Sequence, residues 1–183
     1  MLTPNDRAWN ILHNAELVCS AERIEQAFVT LGEHISTAYH ERFPLVIAVM
    51  NGALYFAGQL LPRLRFPLTV EYVHATRYGA ETAGGQLQWK VKPAESVRGR
   101  DVLLLDDILD AGQTLAAIHA EVLAGGAASC AIAVLADKQH GRPKPIEAQY
   151  VGVDIPDRFV FGCGLDVSGY WRNLPAIYAV KGT

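Results

Sequence analysis

The sequence predicts an α/β fold in which a central, mainly parallel sheet is flanked by helices. Apolar runs of strand length alternate along the chain with segments of helical spacing, which is typical of βαβ units. The runs Leu45–Val49 and Val102–Leu105 are apolar without interruption, as in strands that helices cover on both faces. The chain has 183 residues, of which 50% are hydrophobic, so it can bury one full core and is predicted to form a single domain.

Two helices are predicted before the first central strand. Thr3-Pro4-Asn5-Asp6 combines a capping hydroxyl, an early proline and an acid, which predicts a helix running toward Val18. Ser20 is the predicted cap of the second helix, whose apolar residues share one face: Ile24, Ala27, Phe28, Leu31 and Ile35. The first central strand is predicted at Leu45–Val49, and a helix at Ala53–Leu64 follows it.

The rest of the chain continues the alternation of strands and helices. A strand is predicted at Leu68–His74, and the glycine-rich segment from Arg77 to Gln86 is a polar loop of the length that lids have. After Val102–Leu105 come a helix at Thr114–Ala124 and a strand at Cys130–Leu135. Short strand-like pieces then lie at Tyr150–Val153, Phe159–Phe161 and Ile177–Val180.

Composition argues against several classes of partner. The net charge is −3, and no basic stripe interleaved with aromatic residues is visible, so we expect no nucleic-acid partner. The apolar runs are short, and the first residues lack the pattern of a signal peptide, so we expect no membrane association and a cytoplasmic protein. Cys19, Cys130 and Cys163 are widely spaced and are interpreted as reduced packing residues.

The segment from Val102 to Leu115 has the residue order of a phosphosugar site. Its apolar strand ends in Asp106 and Asp107, and Asp110 precedes a short turn that opens a helix. Unpaired amides at a helix N-terminus bind phosphate without a lysine. The paired acids would repel a phosphate and suit sugar hydroxyls or Mg²⁺ instead. The alternative is a plain acidic turn in an ordinary α/β protein.

This segment resembles the 5-phosphoribosyl-1-pyrophosphate (PRPP) signature of type I phosphoribosyltransferases. The rest of the chain is similar to the hypoxanthine-guanine branch of that family. The resemblance implies one domain over residues 1–183, with a small hood built from the N-terminal helix and the C-terminal segment. It implies Mg²⁺-dependent transfer of phosphoribosyl from PRPP to N9 of hypoxanthine or guanine, which gives IMP or GMP and pyrophosphate. A homodimer or homotetramer is also implied.

The resemblance assigns roles to residues around the signature. Asp106 and Asp107 would fix the ribose, and Asp110 would assist removal of the purine N7 proton. The 5′-phosphate would be held by the turn Ala111, Gly112, Gln113 and Thr114. Ala111 replaces a hydroxyl residue of the family's signature, so a hydroxyl contact is absent there.

Further residues match the pyrophosphate side of the family's site. Asn51-Gly52 follows the first strand and resembles the pyrophosphate loop, in which the Asn51–Gly52 peptide can be cis. Asn51 stands where several relatives have lysine, and a plain Asn-Gly turn is the alternative interpretation. Asp166 matches an acid that binds Mg²⁺, and Arg172 matches an arginine that reaches pyrophosphate. Tyr78 matches the tyrosine of the mobile loop, although Arg77 precedes it where many relatives have serine.

Three residues match the purine-binding side. Lys138 corresponds to a lysine that donates to the oxygen at purine C6, although a single lysine in a polar loop is usually only solvated. Phe159 would stack on the purine, and Val160 would offer backbone groups to its edge, whereas Phe161 is interpreted as core. Two other functions remain open: a regulatory PRPP-binding protein with the same fold, and a sister enzyme that acts on xanthine, adenine or a pyrimidine.

Overall fold

The computed structural model describes residues 3–77 and 87–182, without the side chains of residues 77 and 87. Within these ranges the helices are α1 (Pro4–His13), α2 (Ala21–Tyr39), α3 (Ala53–Leu60) and α4 (Gln113–Ala124), with 3₁₀ turns at Leu61–Arg63 and Glu95–Val97. The strands are β1 (Glu16–Cys19), β2 (Leu45–Met50), β3 (Thr69–Arg77), β4 (Leu87–Val91), β5 (Asp101–Leu109), β6 (Ser129–Gln139), β7 (Tyr150–Pro156), β8 (Val160–Phe161) and β9 (Ile177–Ala179).

The central sheet has six strands in the order β4-β3-β2-β5-β6-β7. Neighbouring strands from β3 to β7 run parallel, and β4 pairs antiparallel with β3 at one edge. The α/β fold with a mainly parallel sheet is therefore confirmed. Because the carboxyl ends of parallel strands meet at one edge, the segments after β2, β5 and β6 are brought together there.

The core has two parts, one on each face of this sheet. One cluster packs α2 and α3 against the sheet through residues such as Phe28 and Phe56. The other packs α4 against the opposite face through Ile118 and Val122. Residues of β5 alternate between the two clusters and are fully buried from Val102 to Leu105, which explains the uninterrupted apolar run.

A second, three-stranded antiparallel sheet in the order β1-β9-β8 joins the two ends of the chain. The prediction that the first helix runs toward Val18 is wrong in this respect, because α1 ends at His13. Asn14 caps the helix, with its side-chain amide donating to the Asn10 carbonyl at 2.8 Å. Residues 16–19 then form β1, since they find a hydrogen-bonding partner in β9 that local spacing does not reveal.

Several predicted boundaries also differ from the structure. The strands predicted at Val102–Leu105 and Cys130–Leu135 continue as β5 and β6, whose pairing runs on to Leu109 beside Asp137. The helix predicted to reach Leu64 ends at Leu60 and is followed by a 3₁₀ turn containing proline. Strand β4 was not predicted. None of the helices in the described ranges has the length and apolar character needed to cross a membrane.

Candidate active site

The turn between β5 and α4 forms the floor of a cavity at the carboxyl edge of the sheet. Gly112 has a φ of +74° and directly precedes α4, so the chain turns there in a conformation that favours glycine. A β carbon at Gly112 would also lie 3.2 Å from the Leu109 side chain. The cavity has a volume of about 320 Å³ and is lined by Asp106, Asp107, Ile108, Asp110, Ala111, Gly112, Gln113, Thr114 and Leu115.

Asp106 and Asp107 lie inside β5 rather than after it, as an acidic pair in which Asp107 is buried and Asp106 is partly buried. Asp107 is only 8% exposed, and its amide donates to the Asp106 carboxylate at 3.0 Å. Burial, reinforced by the charge of Asp107, raises the pKa of Asp106 well above its ordinary value. Burial also raises the pKa of Asp107, against the opposing influence of Arg172. Such a pair is suited to hydrogen-bond donors or a cation as ligands.

The loop after β2 packs directly against this pair. A β carbon at Gly52 would lie 2.1 Å from an Asp107 carboxylate oxygen, so the approach requires glycine. Likewise, a β carbon at Gly164 would lie 2.3 Å from the Gly52 carbonyl oxygen. The cis peptide bond of this loop joins Met50 and Asn51, so its predicted place between Asn51 and Gly52 is corrected by one residue. Three segments distant in sequence thus converge at one point.

Arg172 connects the third of these segments to the acidic pair. Its guanidinium donates to the Gly164 carbonyl at 2.6 Å and pairs with the Asp166 carboxylate at 2.5 Å. The same guanidinium is 4.0 Å from Asp107, and the Gly169 amide donates to Asp166 at 2.7 Å. A second cavity of about 320 Å³ adjoins this arginine and is lined by Asn51, Leu54, Tyr55, Gly164, Arg172 and Asn173.

Lys138 and Asp110 meet beside the turn that precedes α4. Lys138 belongs to β6 and is only 8% exposed, unlike a solvated lysine of a polar loop. Its ammonium lies 2.7 Å from the Asp110 carboxylate, which is about half exposed. Phe159 is 52% exposed, whereas Val160 is buried in β8. Phe161 is fully buried against Tyr178, as predicted.

The structure adds two residues to those identified from the sequence. Lys144 pairs with Asp137 and donates at 2.8 Å to the carbonyls of Leu109 and Lys138, so it ties the ends of β5 and β6 together. His140 contacts the Asp110 carbonyl at 3.3 Å. Neither residue carried a sequence signal, because a charged residue between prolines and an isolated histidine are common on loops. Tyr78 lies outside the described residues.

The fold and the acidic turn define a class of α/β enzymes that bind a phosphorylated sugar at the carboxyl edge of a parallel sheet. Comparison with known proteins identifies the family. Residues 20–168 match the model of the phosphoribosyl transferase domain. A hypoxanthine-guanine phosphoribosyltransferase from Bacillus subtilis is 36% identical over 171 residues, which cover 92% of this chain and 95% of that protein. One from Streptococcus thermophilus is 32% identical and covers 91% of this chain and 93% of its own length.

Solved structures agree with this assignment. A hypoxanthine phosphoribosyltransferase from Staphylococcus aureus superposes with a TM-score of 0.88 at 30% identity, over 94% of this chain and 95% of that one. The Trypanosoma cruzi enzyme in complex with the product IMP superposes with a TM-score of 0.83 at 28% identity, over 92% and 96% of the two chains. The chain belongs to the phosphoribosyl transferase domain family, as its resemblance to type I phosphoribosyltransferases predicted.

Proposed function

We propose that this chain is a purine-salvage enzyme that transfers the 5-phosphoribosyl group of PRPP to N9 of hypoxanthine or guanine. The products are IMP or GMP and pyrophosphate. The observation that carries the proposal is the position of the Lys138–Asp110 pair, 2.7 Å apart, next to the cavity that holds the acidic pair and the turn before α4. The lysine proposed to bind the purine and the carboxylate proposed to accept its proton thus lie next to the cavity proposed for PRPP.

The PRPP half of the reaction is assigned to the segments that converge at the sheet edge. The turn formed by Ala111, Gly112, Gln113 and Thr114 holds the 5′-phosphate at the positive end of α4. Asp106 and Asp107 accept hydrogen bonds from the ribose hydroxyls. The cavity lined by Asn51 and Arg172 receives the pyrophosphate. Gly52 allows the pyrophosphate loop to approach Asp107. Tyr78 is proposed to close over the bound PRPP.

Mg²⁺ fits this half of the site as an ion that protein carboxylates and substrate phosphates would bind together. In the described residues no group of three or more His, Cys, Asp or Glu side chains could hold a metal alone. Mg²⁺ is usually bound through one or two carboxylates together with substrate phosphates, and the buried pair offers such oxygens. Asp166 is the proposed protein ligand and would first exchange its contact with Arg172, while Asp106 or Asp107 would help to hold the ion. When bound there, Mg²⁺ would supply positive charge that stabilises pyrophosphate as a leaving group.

Asp110 is the proposed general base of the reaction. Its half-exposed carboxylate stands at the opening of the phosphate turn, where the N7 side of a purine attacking C1′ would lie. Accepting the N7 proton as the N9–C1′ bond forms prevents positive charge from building up on the base. Lys138 holds this carboxylate through a charge-assisted hydrogen bond of 2.7 Å, which fixes its orientation.

Lys138 also selects the purine. An ammonium has donors and no acceptor, so it pairs with the oxygen of a 6-oxopurine but leaves the amino group of adenine without a partner. Phe159 is sufficiently exposed to stack on the purine face, and the backbone of Val160 is assigned to its edge. The relatives from Bacillus and Streptococcus are named for hypoxanthine and guanine, which supports the same choice here.

Product analysis tests this function. Hypoxanthine, PRPP and MgCl₂ incubated with the enzyme are expected to give IMP and pyrophosphate in equal amounts, and EDTA is expected to stop the reaction. The Asp106→Ala and Asp107→Ala variants are expected to bind PRPP more weakly in calorimetry as well as to react more slowly. Failure to form IMP, or normal PRPP affinity in both variants, would refute the proposal.

An exposed apolar face of β3 is the proposed site of self-association. Val70 and Tyr72 project from one face of β3 and are each 51% exposed, which suits burial against a second copy in a homodimer or homotetramer. We propose that residues 1–183 form one domain, with a hood made of the N-terminal helix and the C-terminal segment. We place the enzyme in the cytoplasm, without a nucleic-acid or membrane partner; its three cysteines, all in the described ranges, are free. Light scattering during gel filtration tests the oligomer.

A further inference from the structure

Trp171 holds an uncommon backbone conformation immediately before Arg172. Its φ is +70°, in the left-handed region that bulky residues rarely adopt. Such a conformation persists only where the surroundings enforce it, and it is concentrated at functional sites. The preceding segment is similar, since Cys163 and Ser168 also have positive φ values. The contacts that hold Trp171 therefore help to determine the position of the Arg172 side chain.

Those contacts come from the N-terminal helix. The indole nitrogen of Trp171 donates to the Ala8 carbonyl in α1 at 2.8 Å. The rings of Trp171 and Trp9 meet edge to face, with centroids 5.0 Å apart, and the His13 ring stacks on the Trp9 ring with centroids 5.6 Å apart. A hydrogen bond and an aromatic pair thus fix the side chain of Trp171, the residue with the positive φ.

Helix α1 contributes little to the hydrophobic core. None of its described side chains is buried, and Trp9 itself remains 46% exposed. A helix that buries no side chain gains little stability from hydrophobic packing. The hydrogen bond and the ring contact that α1 makes with Trp171 are therefore not part of the hydrophobic core. They hold the segment that carries Asp166 and Arg172.

The backbone at Trp171 sets the place of the Arg172 guanidinium. The Arg172 carbonyl accepts from the Gly164 amide at 2.9 Å, while its guanidinium donates to the Gly164 carbonyl. This double contact orients the side chain toward Asp166 and Asp107. A rotation at Trp171 would move the guanidinium away from the cavity that it lines with Asn51.

We propose that Trp9 and Trp171 form a latch through which α1 positions Arg172 in the pyrophosphate cavity. Trp171 and Trp9 are positioning residues, because they act through Arg172 and not on the substrate. This inference rests on the proposed function, in which Arg172 binds the pyrophosphate group. It predicts that loosening α1 weakens the pyrophosphate half of the site and spares the purine half.

The test measures the two halves separately in Trp9→Ala and Trp171→Phe. Trp171→Phe keeps a smaller aromatic ring and removes the indole donor to Ala8. Trp9→Phe is expected to restore the ring contact that Trp9→Ala removes. We expect the Kd for pyrophosphate with Mg²⁺ and the KM for PRPP to rise about 3- to 10-fold, as when one charged group is misplaced rather than removed. The KM for hypoxanthine at saturating PRPP should change less than about twofold.

Phe43→Ala is the matched control for loss of an exposed aromatic ring. Phe43 is 56% exposed, lies before the amino end of β2 and stacks with Arg100 at 4.7 Å, far from the carboxyl edge. Its pyrophosphate affinity should equal that of the wild type. Unchanged pyrophosphate and PRPP constants in the conservative Trp171→Phe variant, or equal losses for PRPP and hypoxanthine, would overturn the latch even if Trp9→Ala fails to fold.

Arg172→Gln separates failure of the latch from failure of the proposed function. If the wild type binds no pyrophosphate or PRPP, the proposed function is wrong, and the latch falls with it. If Arg172→Gln binds pyrophosphate as the wild type does, the role of Arg172 is wrong, and the latch is refuted for the same reason. If Arg172→Gln loses affinity while both tryptophan variants keep it, only the latch is overturned.

Discussion

Lys138 and Asp110, whose charged groups lie 2.7 Å apart, are the residues proposed for purine selection and proton transfer. Asp110→Asn keeps the shape of the side chain but cannot take up a proton. We expect turnover to fall by ~10²–10⁴-fold with little change in PRPP affinity, the range typical of lost general acid–base assistance. Steady-state kinetics together with PRPP calorimetry measure both quantities. Wild-type turnover in the folded variant would remove Asp110 from the mechanism.

Lys138→Met tests purine selection at the same pair. An unpaired, desolvated base oxygen costs about 1–3 kcal/mol, or roughly one to two powers of ten in kcat/KM. We expect hypoxanthine and guanine to lose this much, adenine to lose less, and PRPP binding to stay nearly intact. Equal losses for all three bases would contradict the assignment. Lys92→Met, which removes an exposed lysine paired with Glu121 at 3.5 Å, is the control and should change none of these constants.

The ionised Asp106 carboxylate is expected to lower the free energy of unfolding of the ligand-free protein at neutral pH. Because folding raises its pKa, the folded state binds this proton more tightly than the unfolded chain does. Stability is therefore lost as pH rises from about 4, near the ordinary pKa of an aspartate, toward the raised pKa. Asp106→Asn should stabilise the protein by about 1–3 kcal/mol at pH 8, roughly 2–4 °C in Tm per kcal/mol for a chain of this length.

Thermal unfolding of wild type and Asp106→Asn between pH 4 and pH 8 measures this effect. The difference in Tm should shrink toward zero at pH 4, where the folded wild type is protonated at this carboxyl. Asp157→Asn, at an exposed pair with Arg142, is the control and should change stability little at any pH. A destabilised Asp106→Asn protein at pH 8 would show that the acidic pair is compensated in the ligand-free state.

The sequence was most informative about residues that are close together along the chain. The turn from Asp106 to Thr114 could be predicted because one strand, one turn and one helix N-terminus place its groups without help from elsewhere. Contacts between distant segments could not be derived from spacing: the pairing of Arg172 with Asp166, and the approach of Gly52 to Asp107, depend on the completed sheet. The functional roles of these residues remain predictions.

Among the elements, the loop after β2 depends most strictly on one residue. Gly52 has an ordinary φ of −58°, so its requirement for glycine arises from contact with Asp107 alone. Gly52→Ala should therefore displace the acid, weaken PRPP binding and destabilise the fold by about 1–3 kcal/mol. Gly58→Ala in α3 is the matched control, because its β carbon would meet nothing within 4 Å.

Chemical denaturation and PRPP calorimetry of the two glycine variants check this prediction. Gly58→Ala should leave binding unchanged and stabilise the helix by about 0.5–1 kcal/mol. Equal behaviour of the two variants would show that the loop yields without moving Asp107.

Elements with a strong internal pattern were predicted well, and those that depend on a distant partner were not. Helix α2 has a cap at Ser20 and a long apolar face, and its buried residues include the five that the spacing indicated, together with Gly32 and Tyr39. The sequence predicts the end of a helix where β1 lies, because these four residues carry no signal apart from their pairing with β9. Strand β4 was missed for the same reason, since only β3 supports it.

At the scale of the whole molecule, the parallel sheet brings the residues proposed for the phosphosugar and those proposed for the purine to one edge. Strand β2 supplies the loop at Asn51, β5 supplies the acids and the phosphate turn, and β6 supplies Lys138. The small sheet made from both chain ends carries Val160 and is connected directly to Phe159. These parts are proposed to work as one site specific for 6-oxopurines.

Initial rates with a panel of bases at saturating PRPP and Mg²⁺ test this claim most directly. Hypoxanthine, guanine, xanthine, adenine and uracil are compared by kcat/KM, with pyrophosphate release as the common readout. We expect hypoxanthine or guanine to exceed adenine by at least about tenfold, the discrimination of one unpaired polar group. A preference for adenine or uracil, or the absence of turnover with every base, would contradict the account.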